Sequence, residues 1–179
     1  MAREKRLVKV REYGYPPEVV WTALTDAHAL AEWLMPNDFK AERGARFRFM
    51  YDAMPGCAHG RTDCEVLEIE RPRTMTWSWQ NAKPDGSPVG GAMRVRFDLE
   101  PIGLANTSPG TRLTLTQTGC EHISMLTRFM MSHGWTHMLK RLIPRVLSNV
   151  DGAGVFTPGA IPLDKRCYKT RTIPEELVR

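Results

Sequence analysis

His133 and His137 stand four residues apart, and on a helix they would share one face. Cys57-Ala58-His59 adds a thiol and a third imidazole, and imidazole nitrogen with thiolate sulfur is a ligand set that zinc takes. No HExxH or CxxC accompanies them, and no carboxylate stands on the same helical turn to orient the imidazoles. The sequence therefore predicts surface or hydrogen-bonded histidines, no metal and no cofactor. For proton transfer the side chains in hand are Tyr51, His59, Asp63, Glu65 and His137. Of these, Tyr51, His59 and His137 are the catalytic candidates, because cyclase-type chemistry needs a donor and an acceptor facing a dry cavity. Carboxylates in such a place need partners or raised pKa values, and exposure on a strand face is the expectation for Asp63 and Glu65. GxSxG, GxxxxGK[ST] and GxGxxG are all missing, which leaves hydrolase-elbow, nucleotide and dinucleotide readings without support.

A second group of residues points to binding. Phe47, Phe49, Tyr51, Met75, Trp77, Trp79 and Phe97 recur at every second position of strand-like runs, and Met131, Trp135 and Met138 recur at helical spacing. Facing one another across a wedge, these ten would line a site for an apolar or aromatic molecule, and the methionines would let it adapt. The same residues would equally serve as an ordinary packed core, and both readings stand at this stage.

These side chains require particular elements to hold them. Arg6 to Tyr13 alternates as a strand. Pro16-Pro17-Glu18 opens a helix, and Thr25 or Asp26 caps a second one bearing Leu30, Trp33 and Leu34, closed by Pro36. From about Lys40 the period changes from helical to two, through Phe47 to Tyr51, a less regular Gly60 to Glu70, Met75 to Trp79, Val95 to Leu99 and Leu113 to Leu115. One face of this sheet is oily and the other carries hydroxyls and Arg46, Arg48, Arg94, Arg96 and Arg112, which predicts a solvated outer surface. After Gly119 the helical period returns. It predicts one long helix from His122 or Ser124 to Val150, irregular at Gly134 and kinked near Pro144. Residues 151–179, rich in Pro and Gly, read as a tail or packing arm.

The chain carries 25 Lys and Arg against 20 Asp and Glu, a net charge of +5. Three of those five charges lie within residues 1–12, so the folded body has no concentrated basic face and nucleic acid is not an expected partner. No run reaches the ~20 apolar residues of a bilayer span, because Glu32, Arg128 and Lys140 interrupt the most apolar windows. With no signal-peptide pattern at the N-terminus and four cysteines in no staple-like spacing, the expectation is a reduced, cytoplasmic protein without membrane insertion.

The motifs narrow the fold. Val20-Trp21-Thr22-Ala23-Leu24-Thr25 with Leu30 and Trp33, the Gly60 to Pro72 strand, and Thr111 to Gly119 resemble the opening, central and late strand motifs of the SRPBCC (START-like) superfamily. Gly134-Trp135 ahead of Leu139 and Leu142 resembles the branch named for the activator of a heat-shock-protein ATPase. Where many members have Gly-Gly before the first sheet strand, this chain has Glu42-Arg43-Gly44-Ala45. The resemblance implies an α+β helix-grip fold over residues 1–150: a curved antiparallel sheet wrapped around a long C-terminal helix, with two short helices after the first strand. Members of the superfamily share a pocket and not a reaction. The first functional expectation is binding of a lipid- or polyketide-like molecule between sheet and helix. A co-chaperone-like interaction module with a chaperone partner, and a cyclase, dehydratase or hydrolase using the same cavity, are the alternatives. Exposed sheet edges leave room for a homodimer.

Overall fold

The computed structural model describes residues 6–52, 60–103, 109–168 and 170–178. The chain begins with β1 (Leu7–Tyr13), followed by α1 (Pro17–Thr25) and α2 (Ala27–Trp33). Pro17 sits in the first turn of α1, where a missing N–H costs nothing, and the Asp26 carboxylate caps α2 by accepting the His28 and Ala29 N–H groups, both at 2.9 Å. The Trp33 indole N–H reaches back to the Ala23 carbonyl at 2.7 Å and ties the two helices together.

The period-two segments form β2 (Arg46–Met50), β3 (Arg61–Glu70), β4 (Thr74–Ala82), β5 (Met93–Gly103) and β6 (Pro109–Thr118). All pair antiparallel in one sheet, ordered β1-β6-β5-β4-β3-β2. The register places Trp77 opposite Val66 and Val95, and Phe97 opposite Met75 and Leu115, so one face is continuously apolar. The less regular β3 contains a register shift between Val66 and Glu68. At the turn before β2 a single glycine suffices. Gly44 takes the left-handed conformation, φ 81°, and its N–H donates to the Val66 carbonyl at 2.8 Å.

The expected single long helix is instead three segments in one continuous path. These are α3 (Met125–His137), a π-helical turn over Met138–Leu142, and α4 (Ile143–Leu147). Ser124 caps α3 by accepting the Thr127 N–H. The cause of the widening is Pro144, whose ring crowds the preceding turn and whose nitrogen has no proton. The Ile143 N–H skips back five residues to the Met138 carbonyl, and the next bond of that series would need an N–H on Pro144. That leaves the Leu139 carbonyl without a helical donor, and the Tyr13 hydroxyl at the end of β1 donates to it at 2.7 Å. Burial raises the Tyr13 pKa well above its ordinary value.

Leu139, Leu142, Ile143, Val146 and Leu147 are buried with α1, α2 and the apolar sheet face. Beyond Val150 the chain folds back over this body. Gly159 and Ile161 donate their N–H groups to Glu32 on α2, at 2.5 and 2.7 Å. Further on, the Arg171 and Thr172 N–H groups both donate to Asp52, at 2.6 and 3.0 Å, and a short helix α5 (Glu175–Val178) follows.

Candidate functional site

The interior between sheet and helix is built around Trp77, which is fully buried on β4. Its ring centroid lies 5.7 Å from Phe39, 5.5 Å from Phe47, 5.8 Å from Phe49 and 5.0 Å from Phe97. Trp79 meets Trp135 at 6.0 Å and Phe49 at 5.5 Å. These spacings are those of aromatic pairs in direct contact. Among the ten residues expected to line a wedge, Phe47, Phe49, Tyr51, Met75, Trp77, Trp79, Phe97, Trp135 and Met138 are buried together, and Met131 is half-buried at their margin. In this state they form packed core, and the rings fill the wedge.

The indole N–H of Trp77 has no hydrogen-bond partner. The neighbouring tryptophans do: Trp135 donates to the Gln117 side-chain oxygen at 2.8 Å, and Trp79 to Asn81 at 3.1 Å. Gln117 is itself fully buried and turns its amide nitrogen toward the Met93 sulfur at 3.5 Å. The interior thus holds a fixed amide and one unused donor inside an aromatic shell.

The helix α3 borders this shell. Trp135 is the only buried residue of α3, and from Glu121 through Gly134 none is buried. Its two ends are held: Cys120 is buried ahead of it, the His122 ring fills the space that a Cβ on Gly91 would need, and Trp135 is seated on Gln117. Met138, expected on the helix wall, is buried, whereas Met130 is 53% exposed. Met130 lies on the outer face of the helix with Phe129 and His133, while Met131, Ser132 and Trp135 on the opposite face are half-buried or buried.

Two open grooves of the described surface lie elsewhere. One of about 580 Å³ lies among Arg46, Arg48, Arg61, Asp63, Glu65 and Ser78, and one of about 370 Å³ among Glu68, Glu70, Arg96 and Asp98, both on the polar side of the sheet. This side is solvated as expected, with a lattice of ion pairs: Arg61 to Asp63 at 2.7 Å, Arg46 to Glu65 at 3.4 Å, Arg48 to Asp38 at 3.2 Å and Arg96 to both Glu68 and Asp98. Such exposed pairs contribute about 0–1 kcal/mol each.

The proton-transfer candidates are not brought together. Tyr51 is buried at the end of β2, with its ring 5.0 Å from that of Tyr168 in the tail. His137 and His133 are exposed on α3, and Asp63 and Glu65 lie on the polar side. His59 and Cys57 lie outside the described residues. Among the described residues no group of three His, Cys, Asp or Glu could hold a metal ion. Burial pushes the thiols of Cys64, Cys120 and Cys167 upward, so none is primed as a thiolate nucleophile.

Two polar residues of consequence escape sequence reasoning. Gln117 alternates in phase with Leu113 and Leu115, and a polar residue at an inward position is a detectable signal. Glu32, which the sequence offers only as a break in an apolar window, is wholly buried, accepts two tail N–H groups and stands 3.5 Å from Arg166. Burial draws the Arg166 guanidinium below its usual pKa, against the opposing pull of Glu32.

No curated protein matches the chain. Among solved structures, protein MLL2253 from Mesorhizobium loti is 29% identical with a TM-score of 0.60, the match covering 82% of this chain and 99% of that one. BH1534 from Bacillus halodurans is 28% identical with a TM-score of 0.59, covering 80% and 98% of the two chains. DynU16, a protein of the dynemicin biosynthetic locus, is 20% identical with a TM-score of 0.61, covers 88% of this chain and 51% of its own, and shares the fold. No helix among the described residues is long and apolar enough to cross a membrane. The family model described as activator of Hsp90 ATPase homolog 1-like protein matches residues 14–146, which together with the helix-grip architecture establishes that the chain belongs to that family.

Proposed function

We propose that the protein binds an apolar, ring-bearing small molecule of lipid or polyketide type, carrying a hydrogen-bond acceptor, between the sheet and the C-terminal helix. The observation that carries this reading is the Trp77 indole N–H, fully buried and without an acceptor. A buried orphan donor costs about 1–3 kcal/mol, and a carbonyl or ether oxygen of a bound molecule would remove that cost. The surrounding rings offer stacking partners. The polar groups described in this interior are the Trp77 and Trp135 indoles and the Gln117 amide, while the buried Glu32 is committed to the tail. This set orients a ligand, and it favours binding over turnover.

The test is a thermal-shift and native mass-spectrometry screen of fatty acids, phospholipids and aromatic polyketides. An acceptor-bearing ring compound should raise Tm, because a ligand that binds only the folded state stabilises it. Trp77→Phe should keep the fold and bind that compound about tenfold more weakly, the loss of one hydrogen bond. A screen in which nothing raises Tm, or a Trp77→Phe variant that binds as well as wild type, refutes the reading. Product formation that disappears in Tyr51→Phe would replace binding with catalysis.

A further inference from the structure

The first half of α3 shows water an unusual surface. Met125 is 80% exposed, Leu126 69%, Phe129 71% and Met130 53%. Soluble proteins scatter exposed apolar residues singly, and four within two helical turns form a contiguous patch that marks an interaction site. The charge along the same path is one-sided. From His122 to Val150 the sequence carries Arg128, Lys140, Arg141 and Arg145 and no Asp or Glu. Lys140, Arg141 and Arg145 are exposed, and Lys140 lies about 17 Å along the helix from Phe129 at ~1.5 Å per residue.

We propose that this helix docks on an anionic lipid bilayer, its apolar tip seated at the boundary of headgroups and acyl chains and its basic shaft lying on the phosphates. An apolar helix face backed by cations is what an interfacial site requires, and the seat is too short to be a span. A second copy of the chain fits less well. Self-pairing of this face would give the helix's cations no counter-charge, because a second copy of the helix carries no carboxylate between His122 and Val150. The inference goes beyond ligand binding in the interior and does not depend on it.

Cosedimentation of the full chain with vesicles of phosphatidylcholine alone, and of phosphatidylcholine with phosphatidylglycerol, tests the proposal. Wild type should sediment with the anionic vesicles at least tenfold more than with the neutral ones, and salt should release it. Lys140→Ala with Arg141→Ala should lower binding roughly 30-fold, at about a fivefold loss per cation near an anionic surface. Leu126→Glu with Phe129→Glu should abolish it, and Met125→Ser with Met130→Ser should weaken it at least tenfold. All these side chains are exposed, so far-UV melts should match wild type. Equal binding to both vesicle types, or variants that sediment like wild type, overturns the proposal. So does a concentration-dependent dimer that Leu126→Glu with Phe129→Glu dissolves while no vesicle binding is seen.

Discussion

Replacing Glu32 by Gln changes one atom and should unfasten the tail. The carboxylate is fully buried, accepts the Gly159 N–H at 2.5 Å and the Ile161 N–H at 2.7 Å, and faces Arg166, whose side chain is only 8% exposed. A glutamine keeps one acceptor oxygen and turns an NH2 toward the other backbone donor. One charge-assisted bond is lost, at about 1.5–3 kcal/mol, and a buried N–H is left facing another donor. Arg166 loses its counter-charge, and breaking one side of a buried pair costs about 3–5 kcal/mol. These contributions overlap, so we expect a net loss of about 4 kcal/mol. Urea unfolding followed by tryptophan emission reads it, and with m near 2 kcal/mol/M the midpoint should fall by about 2 M. Trypsin should then cut sooner at Lys165. Glu32→Met with Arg166→Met should cost less than the sum of the single changes, since removing both charges leaves neither stranded. A midpoint drop under about 0.5 M with the tail still protected would show that this carboxylate does not hold the tail.

The second anchor gives a pH dependence. The Thr172 hydroxyl, followed by the Thr172 and Arg171 N–H groups, holds the Asp52 carboxyl below its ordinary pKa. A depressed carboxylate contributes stability above its unfolded pKa and loses it as pH falls through the folded value, so the protection factor for amide exchange at Thr172, the rate taken relative to the intrinsic rate at each pH, should stay level from pH 5 to 8 and fall only below about pH 4. Asp52→Asn should make that exchange fast throughout, and loosening between pH 5 and 7 in wild type would implicate another group. Gly119 has φ 79°, and a Cβ there would stand 2.6 Å from the Ala92 carbonyl oxygen, whereas Gly44 has φ 81° with open space around it. Gly119→Ala should therefore cost about 3 kcal/mol and Gly44→Ala about 1 kcal/mol in chemical denaturation; equal losses would refute the steric argument.

Most of the fold is legible in one dimension because it rests on period and punctuation. Alternation at Phe47 to Tyr51 and Val95 to Leu99 marks strands, and Pro17 and Asp26 mark helix starts, all through local physics. What stays hidden depends on distance in space. Pro144 announces a disturbance, but not that Tyr13, more than a hundred residues away, donates to the carbonyl that the turn releases. The aromatic positions are legible as inward-facing, but whether they enclose a space depends on how far Trp77 and Phe97 reach toward each other. Glu32 looks like an interruption until Gly159 and Ile161 fold onto it.

The bond between Tyr13 and Leu139 also fixes an origin. A helix sliding along a sheet by one residue would pass its neighbours' grooves again, but it could not present the same freed carbonyl to the same hydroxyl. The C-terminal helix is thereby indexed at its root, and α3 ahead of it is a span held at both ends, by Cys120 and His122 on one side and by Trp135 on the other.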